Sequence, residues 1–130
     1  MYLKYYFIYC NLIGAQDELV FDGRSFIINN AGDIKALGKG FCEDMIDFNS
    51  DDLESSNISI SEIDESEEIF NALALGVRDY FKKSRFSKAV IGLSGGIDSS
   101  LTAAIAADAL GNENVIGISM PSAYSSEHSK

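Results

Sequence analysis

Two short apolar runs on either side of an alanine-rich stretch constrain the fold of this chain more than any other feature. The runs, Lys88–Leu93 and Val115–Met120, have the length and β-branched content of buried strands. Between them, Asp98–Leu110 carries apolar residues at helical spacing and is followed by Gly111, which ends the helix. A strand, a helix and a strand in this order predict a right-handed βαβ unit with a parallel sheet.

The loop between the first of these strands and the helix consists of Ser94, Gly95 and Gly96. Open α/β sheets bind ligands at the carboxyl ends of their strands. Adjacent glycines let the backbone come close to a ligand, and the start of the helix adds unpaired N–H groups and partial positive charge. Ser94 and Ser99 add hydroxyl donors. The loop therefore predicts a phosphate or pyrophosphate site.

Asp98 brings a carboxylate into this predicted anion site, where it would repel a phosphate. The carboxylate suits the site if a divalent cation lies between the two, because Mg²⁺ is commonly held by carboxylates together with phosphate oxygens. The alternative is that Asp98 only caps the helix. Beside two glycines and two serines at the end of a buried strand, we favour the metal ligand.

The first part of the chain is predicted to be small and β-rich. A buried strand is expected at Tyr5–Asn11, followed by an irregular polar turn at Gly14–Glu18. A hairpin should follow, with arms Arg24–Ile28 and Ile34–Gly38. Its tip, Asn29–Gly32, contains residues that tolerate a positive φ.

Acidic residues concentrate in the middle of the chain. The net charge is −10, and eleven of the twenty acidic residues lie between Glu43 and Glu68, where no lysine or arginine occurs. Such a run argues against nucleic-acid or anionic-membrane binding through this segment. The acidic, serine-rich stretch Asp51–Asn57 predicts a solvated linker and a domain boundary. A helix should then begin with Ser66 as its N-cap and close near the basic residues Lys82, Lys83 and Arg85.

Cysteine and histidine usage gives little sign of catalysis or metal binding. The two cysteines, Cys10 and Cys42, form no C-x-x-C pair, and His128 is the only histidine, so a zinc site is not expected. Two thiols fit a reducing cytoplasm, and we expect them to be structural and inert where buried. His128 is expected in an exposed loop. The apolar stretch Tyr5–Ile13 is too short to span a bilayer.

The string Ser94–Ser99 resembles the Ser-Gly-Gly-x-Asp-Ser signature of the ATP pyrophosphatase, or PP-loop, superfamily. It is neither G-x-x-x-x-G-K-[ST] nor G-x-G-x-x-G. The resemblance implies cleavage of ATP between its α and β phosphates and adenylation of a substrate oxygen, after which a nitrogen or sulfur nucleophile displaces AMP. The loop alone does not choose among the members, which include amidating synthetases and tRNA-modifying enzymes.

Three flanking stretches narrow the resemblance to glutamine-dependent NAD⁺ synthetases. Glu67–Tyr80 resembles the helix that leads into their synthetase domain, and Met120–Ser126 resembles the segment after their second strand. Ala123 stands where members often carry arginine or proline. Asn11–Phe26 is similar to the late part of their nitrilase-like glutaminase domain.

This resemblance implies an α/β chain of two unlike parts. Residues 1–45 would be the C-terminal part of a nitrilase-like α/β sandwich, residues 46–65 an acidic linker, and residues 66–130 the start of a Rossmann-like PP-loop parallel sheet. The implied enzyme is a ligase that amidates nicotinic acid adenine dinucleotide to NAD⁺ with glutamine-derived ammonia. The implied partners are ATP, Mg²⁺, that dinucleotide and glutamine, in a cytoplasmic homo-oligomer.

The resemblance also implies roles for particular residues. ATP would be held by eight of them, with Asp98 on Mg²⁺: Gly92, Leu93, Ser94, Gly95, Gly96, Ile97, Asp98 and Ser99. The Cys-Glu-Lys triad of the glutaminase would lie upstream, so no catalytic residue is assigned here, and the 130-residue chain alone is expected to show little or no activity. Two alternatives stay open, namely another PP-loop amidotransferase or tRNA-modifying enzyme, and a truncated nucleotide-binding paralogue without catalysis.

Overall fold

The computed structural model describes residues 5–49 and 64–120. The chain divides into two compact units, Met1–Glu68 and Ile69–Lys130. The predicted linker at Asp51–Asn57, together with Ala123 and His128, lies outside the described residues. The described part contains these elements: β1 Phe7–Tyr9, β2 Ile13–Gln16, β3 Leu19–Asp22, β4 Phe26–Ile28, β5 Ile34–Leu37, α1 Glu65–Ser84, β6 Ala89–Leu93, α2 Ile97–Leu110, a 3₁₀ turn Asn112–Asn114, and β7 Val115–Ser119.

The first unit contains a three-stranded antiparallel sheet in the order β1-β4-β5. The predicted hairpin is confirmed as β4 and β5, which pair from Phe26↔Leu37 to Ile28↔Ile34. At its tip, the buried Asn29 side chain accepts hydrogen bonds from the backbone N–H groups of Ala31, at 3.0 Å, and Asp33, at 2.8 Å. The asparagine therefore holds the turn through its own backbone neighbours.

A second hairpin replaces the irregular turn predicted over Gly14–Glu18, so that prediction was wrong. β2 and β3 pair antiparallel from Ile13↔Asp22 to Gln16↔Leu19, which leaves a two-residue turn. The first turn residue, Asp17, has a φ of 51°. Aspartate tolerates this left-handed region, and tight hairpins require it.

β1 is shorter and more exposed than the buried strand predicted over Tyr5–Asn11. It covers Phe7–Tyr9, and these side chains are exposed. Within the described residues it pairs only with β4, so it forms an edge of the sheet. Its aromatic rings pack on Phe26, with centroid separations of 6.1 Å for Phe7 and 5.1 Å for Tyr9. Apolar composition predicted the strand correctly but not its burial.

A turn after β5 is closed by Asp44. Its carboxylate accepts a hydrogen bond of 2.9 Å from the backbone N–H of Lys39, and Lys39 Nζ lies 3.8 Å from the other carboxylate oxygen. The Lys39 backbone N–H is the main cause that lowers the pKa of Asp44 below its ordinary value. The Met45 backbone N–H and the charge of Lys39 contribute less, and partial desolvation opposes them.

α1 begins at Glu65, two residues earlier than a Ser66 N-cap required, so that prediction was wrong. Asp64 is the cap, because its carboxylate accepts hydrogen bonds from the backbone N–H groups of Ser66, at 2.8 Å, and Glu67, at 3.2 Å. A signal was available in the sequence, since an aspartate three residues before Glu67 fits the capping-box pattern. The helix ends at Ser84, close to the predicted basic residues.

The predicted parallel unit is confirmed, since β6 and β7 pair in parallel from Ala89↔Val115 to Leu93↔Ser119 with α2 between them in the chain. The prediction that both strands are buried is wrong on one face. Along β6 burial alternates: Ala89 is buried and Val90 is exposed. Side chains of paired residues share a face, and Ile116, the partner of Val90, is also exposed. α2 contacts both strands, which accounts for one covered face.

No helix within the described ranges combines the length and apolar content needed to cross a membrane.

Titration of Asp44 tests the turn after β5. A group whose folded-state pKa is lowered contributes stability that is fully present above its unfolded pKa, about 3.9, and is lost as the pH falls through the folded value. We therefore expect NMR titration to place the Asp44 pKa below about 3.9. The Lys39→Met variant should keep most of the shift, because the backbone N–H is the larger cause. Return of the pKa to its ordinary value in Lys39→Met would show that charge dominates instead.

Removal of the α1 cap gives a second test. The Asp64→Ala variant should lose about 1 kcal/mol of unfolding free energy in urea titrations followed by circular dichroism. Ser66→Ala is the matched control and should change stability by less than about 0.5 kcal/mol. Equal losses in the two variants would contradict the assignment of Asp64 as the N-cap.

Candidate functional site

The eight residues predicted to bind ATP form one continuous turn from strand to helix. Gly92 and Leu93 end β6, Ser94–Gly96 form the loop, and Ile97–Ser99 are the first residues of α2. The loop residues and the first two residues of the helix are exposed to solvent. The turn is therefore open to a ligand from outside the unit.

The strand end beneath the loop is closely packed on one side. A Cβ built on Gly117 of β7 would lie 2.6 Å from Leu93 Cδ1, so only glycine fits beneath the Leu93 side chain without a shift. Gly92 lies on the opposite, exposed face, where a Cβ would come within 3.0 Å of Met120 Cε. Leu93 is thus held by the sheet at the point where the loop begins.

Gly95 makes the turn possible. Its φ is +81°, in the left-handed region that costs an L-residue roughly 1–2 kcal/mol. The next residue, Gly96, is the N-cap of α2, with φ −87° and ψ 163°, a conformation open to any residue. The two glycines therefore have different roles, and only Gly95 is required by its backbone conformation.

Two serines close the loop through a ring of hydrogen bonds. Ser99 Oγ donates to the carbonyl oxygen of Gly96 at 3.0 Å, and the Gly96 backbone N–H donates to Ser94 Oγ at 3.3 Å. The two hydroxyl oxygens lie 3.2 Å apart, and the Ser94 backbone N–H donates to Ser99 Oγ at 3.3 Å. The side chains of Ser94 and Ser99 thus tie both ends of the loop together.

The direction of this ring follows from proton counting. A serine hydroxyl has one proton. Because the Ser99 proton is donated to Gly96, the Ser94 hydroxyl must be the donor in the bond between the two serines. Both hydroxyl protons are therefore committed within the loop, and a phosphate would take them only if the hydroxyl groups rotate.

The backbone supplies the free donors instead. The N–H groups of Ile97, Asp98 and Ser99 have no hydrogen-bond partner within the described part of the chain, and Gly96 makes no side-chain cap to them. These are the donors that the first turn of any helix leaves unpaired, and the helix dipole adds partial positive charge at the same end. The loop presents an anion with three backbone donors in an exposed position.

Asp98 is the second residue of α2 and not its N-cap, so the alternative that it only caps the helix does not hold. Its carboxylate takes part in no hydrogen bond or ion pair within the described residues, and only its backbone oxygen is engaged, by Thr102 Oγ1 at 2.8 Å. A free, exposed carboxylate beside unpaired N–H groups has the chemistry of a Mg²⁺ ligand, because Mg²⁺ takes carboxylate and phosphate oxygens together.

The structure assigns no chemistry to the cysteines. Cys10 and Cys42 are both free and exposed, so the burial on which their expected inertness depended is not present. Both line a cavity of about 500 Å³ in the first unit, whose wall also contains Tyr9, Phe26 and Phe48. Over residues 5–49 and 64–120, no group of three or more His, Cys, Asp or Glu side chains is placed to hold a metal ion.

Sequence reasoning missed two residues at the far end of α2. Arg78 Nε donates to the carbonyl oxygen of Ala109 at 3.4 Å, and Asn114 Nδ2 donates to that of Leu110 at 2.8 Å. An asparagine just after a helix end is a weak signal for such a contact. The bond from Arg78 has no local signal, because it joins residues 31 positions apart.

Substitution of the two glycines separates their roles. We expect Gly95→Ala to lower the unfolding free energy by roughly 1–2 kcal/mol, because alanine there must adopt a left-handed φ. Gly96→Ala is the matched control, since its backbone angles suit alanine and the added Cβ would lie 3.4 Å from Ser94 Oγ, an ordinary contact. Denaturant titration measures both, and a Gly96→Ala variant as unstable as Gly95→Ala would overturn this distinction.

Comparison with known proteins agrees with the geometry of the second unit. A family model described as NAD synthase matches residues 69–130. The glutamine-dependent NAD(+) synthetase of Synechocystis sp. is 51% identical over 126 residues, which cover 94% of this chain and 23% of that relative. The corresponding enzyme of Thermotoga maritima is 39% identical over 156 residues, covering 93% of this chain and 27% of that relative.

A solved structure shows the same fold with a nucleotide. The glutamine-dependent NAD+ synthetase from Acinetobacter baumannii in complex with adenosine diphosphate is 40% identical, with a TM-score of 0.85 over 95% of this chain and 24% of that one. The structure therefore shows a mixed α/β chain with small antiparallel sheets and a parallel β-α-β unit in the part that matches the NAD synthase model. The chain is homologous to the glutamine-dependent NAD(+) synthetases and spans about a quarter of the length of the relatives it matches.

Proposed function

We propose that this chain carries the ATP-binding loop of a glutamine-dependent NAD⁺ synthetase. The reaction is the amidation of nicotinic acid adenine dinucleotide to NAD⁺ with ammonia released from glutamine. In this proposal residues 1–45 are the late part of a nitrilase-like glutaminase domain, residues 46–65 a linker and residues 66–130 the first part of a PP-loop synthetase domain. Homology over 94% of the chain supports the assignment.

The observation that carries the proposal is the set of three unpaired backbone N–H groups at Ile97–Ser99, beside the left-handed turn at Gly95. An anion is the natural ligand of such a helix start. A 40% identical relative was solved with adenosine diphosphate, whose phosphates are anions of this kind. Both points favour residues 92–99 as the place where the phosphates of ATP bind.

The chemistry proceeds in two substitutions. A carboxylate oxygen of the dinucleotide attacks the α-phosphorus of ATP, a P–O bond forms, and the bond to the bridging oxygen breaks so that pyrophosphate leaves. Ammonia then attacks the adenylated carbonyl carbon, the amide forms, and AMP departs after a proton is lost from nitrogen. Mg²⁺, when bound, neutralises phosphate charge.

This chain's own residues bind and orient the leaving group in the first substitution. The backbone donors of Ile97–Ser99 would hold pyrophosphate oxygens, whose negative charge increases as the P–O bond breaks. Asp98 would hold Mg²⁺ against the same oxygens. Ser94 and Ser99 keep the loop in shape through their hydrogen-bond ring.

The glutaminase step has no assigned residue here. Cys10 and Cys42 are not proposed as its nucleophile. We expect the 130-residue chain to bind ATP with Mg²⁺ and to form little or no NAD⁺. In the complete enzyme, we propose a cytoplasmic homo-oligomer.

Nucleotide titration tests the site. The 130-residue chain should bind ATP more tightly with Mg²⁺ than with EDTA, as measured by isothermal titration calorimetry. Asp98→Asn should weaken binding about tenfold with Mg²⁺, which is roughly 1.4 kcal/mol. It should not weaken binding in EDTA, where the carboxylate only repels phosphate.

Asp17→Asn is the matched control for this titration, because it removes one carboxylate from an exposed turn of the first unit. It should leave both affinities unchanged. Equal weakening by Asp98→Asn with and without Mg²⁺ would argue against a metal ligand. Absence of any ATP binding by the unaltered chain would count against the site itself, and NAD⁺ formed by the isolated chain would refute its expected inactivity.

A further inference from the structure

The C-terminal end of α2 is held by donors from three different places. The backbone N–H of Gly111 donates to the carbonyl of Ala107 at 2.9 Å, which is a local cap. Arg78 Nε, from α1, donates to the carbonyl of Ala109 at 3.4 Å. Asn114 is the residue before β7, and its Nδ2 donates to the carbonyl of Leu110 at 2.8 Å. Thus two of the last carbonyls of α2 are bound by side chains from outside the helix.

Arg78 also supplies charge that α2 lacks. The last turn of α2 contains no basic residue, and the negative end of its dipole is stabilised by a nearby cation. Arg78 Nη2 lies 3.9 Å from Asp108 Oδ2, with both side chains about half exposed. Such an ion pair contributes little energy on its own. Arg78 matters instead because it holds the C-terminal end of α2.

The contacts of α2 with the sheet are made by small or only partly buried side chains. The buried residues of the helix are Ala106 and Ala109. Helices are held in register by ridges of side chains that fit into grooves, and alanines form shallow ridges. At the opposite end, the helix joins β6 through Gly95 and Gly96, and the N-cap makes no side-chain hydrogen bond. The side-chain contacts at the C-terminal end therefore add a second axial restraint to the one that the hydrogen bonds between Ser94 and Ser99 supply at the other end.

We infer that Arg78 and Asn114 are positioning residues for the phosphate loop. By holding the end of α2, they set the axial position of a rod of about 21 Å and so the place of the N–H groups at Ile97–Ser99. Asn114 directly precedes Val115, whose partner in the sheet is Ala89 of β6. The contacts of Arg78 and Asn114 with α2 are called the clamp. Through Asn114, the clamp fixes the position of α2 relative to β6, the strand that precedes the loop. The inference rests on the proposed nucleotide site.

The test uses the full 130-residue chain labelled with ¹⁵N, in the variant Arg78→Met. Without nucleotide, the amide resonances of Gly95–Ser99 should shift although the substitution lies at the other end of α2. Binding of ATP with Mg²⁺ should weaken about threefold to tenfold, the range for coupling through a rigid element. Arg78→Lys, which keeps the charge, should show a smaller shift and a smaller loss.

Lys83→Met is the matched control, because Lys83 is a cation on the same helix whose ion pair with Asp79 stays within α1. It should leave the loop resonances in place. Both measurements are made below the melting transition of each variant, so that lost stability alone changes neither the chemical shifts nor the affinity for ATP. If Arg78→Met does not fold, Asn114→Ala serves in its place, with shifts expected at the same amides.

The outcomes separate this inference from the proposed function. Loop resonances that coincide with those of the unaltered chain in Arg78→Met and Asn114→Ala would overturn the inference, whatever the affinity for ATP. If the unaltered chain binds no ATP, the nucleotide site fails as proposed, and the resonances of the ligand-free variants still decide whether the clamp positions the loop.

Discussion

The candidate site depends on the parallel pairing of β6 and β7. Parallel neighbours cannot be joined by a tight turn, so the chain must return along the sheet before the second strand begins. α2 makes that return, and only a three-residue loop separates its first residue from the end of β6. The unpaired N–H groups of the helix are therefore placed at the carboxyl end of β6 by the strand pairing itself. The place of these donors thus follows from the topology before any side chain is considered.

Within the loop, the backbone and the side chains have different roles. The free donors are main-chain N–H groups, while the hydroxyl groups of Ser94 and Ser99 donate their hydrogen bonds within the loop itself. Ile97 is 80% exposed and packs against little. Side-chain identity thus matters mainly where it shapes the turn, at the two serines and Gly95, and, in the proposed site, at Asp98.

Patterns contained within short stretches of sequence predicted the structure best. The hairpin β4–β5 and the strand, helix and strand around Ser94–Ser99 were predicted because turn residues and apolar periodicity are local signals. The β2–β3 hairpin was missed because Gly14, Gln16 and Asp17 obscure its alternation. Strand burial was overestimated, since composition does not say which face another element covers. The bond from Arg78 to α2 joins residues 31 positions apart, and no single segment encodes it.

The exposed face of the parallel sheet has a consequence for the molecule in solution. Val90, Ile116 and Ile118 lie on that face with Met120 close to Gly92, and together they form an apolar row. Such rows favour association, whereas a net charge of −10 keeps copies apart. Salt screens charge but not apolar contact, so a higher ionic strength favours contact between such rows. The acidic residues between Glu43 and Glu68 account for the charge that opposes it, since the rest of the chain is nearly balanced.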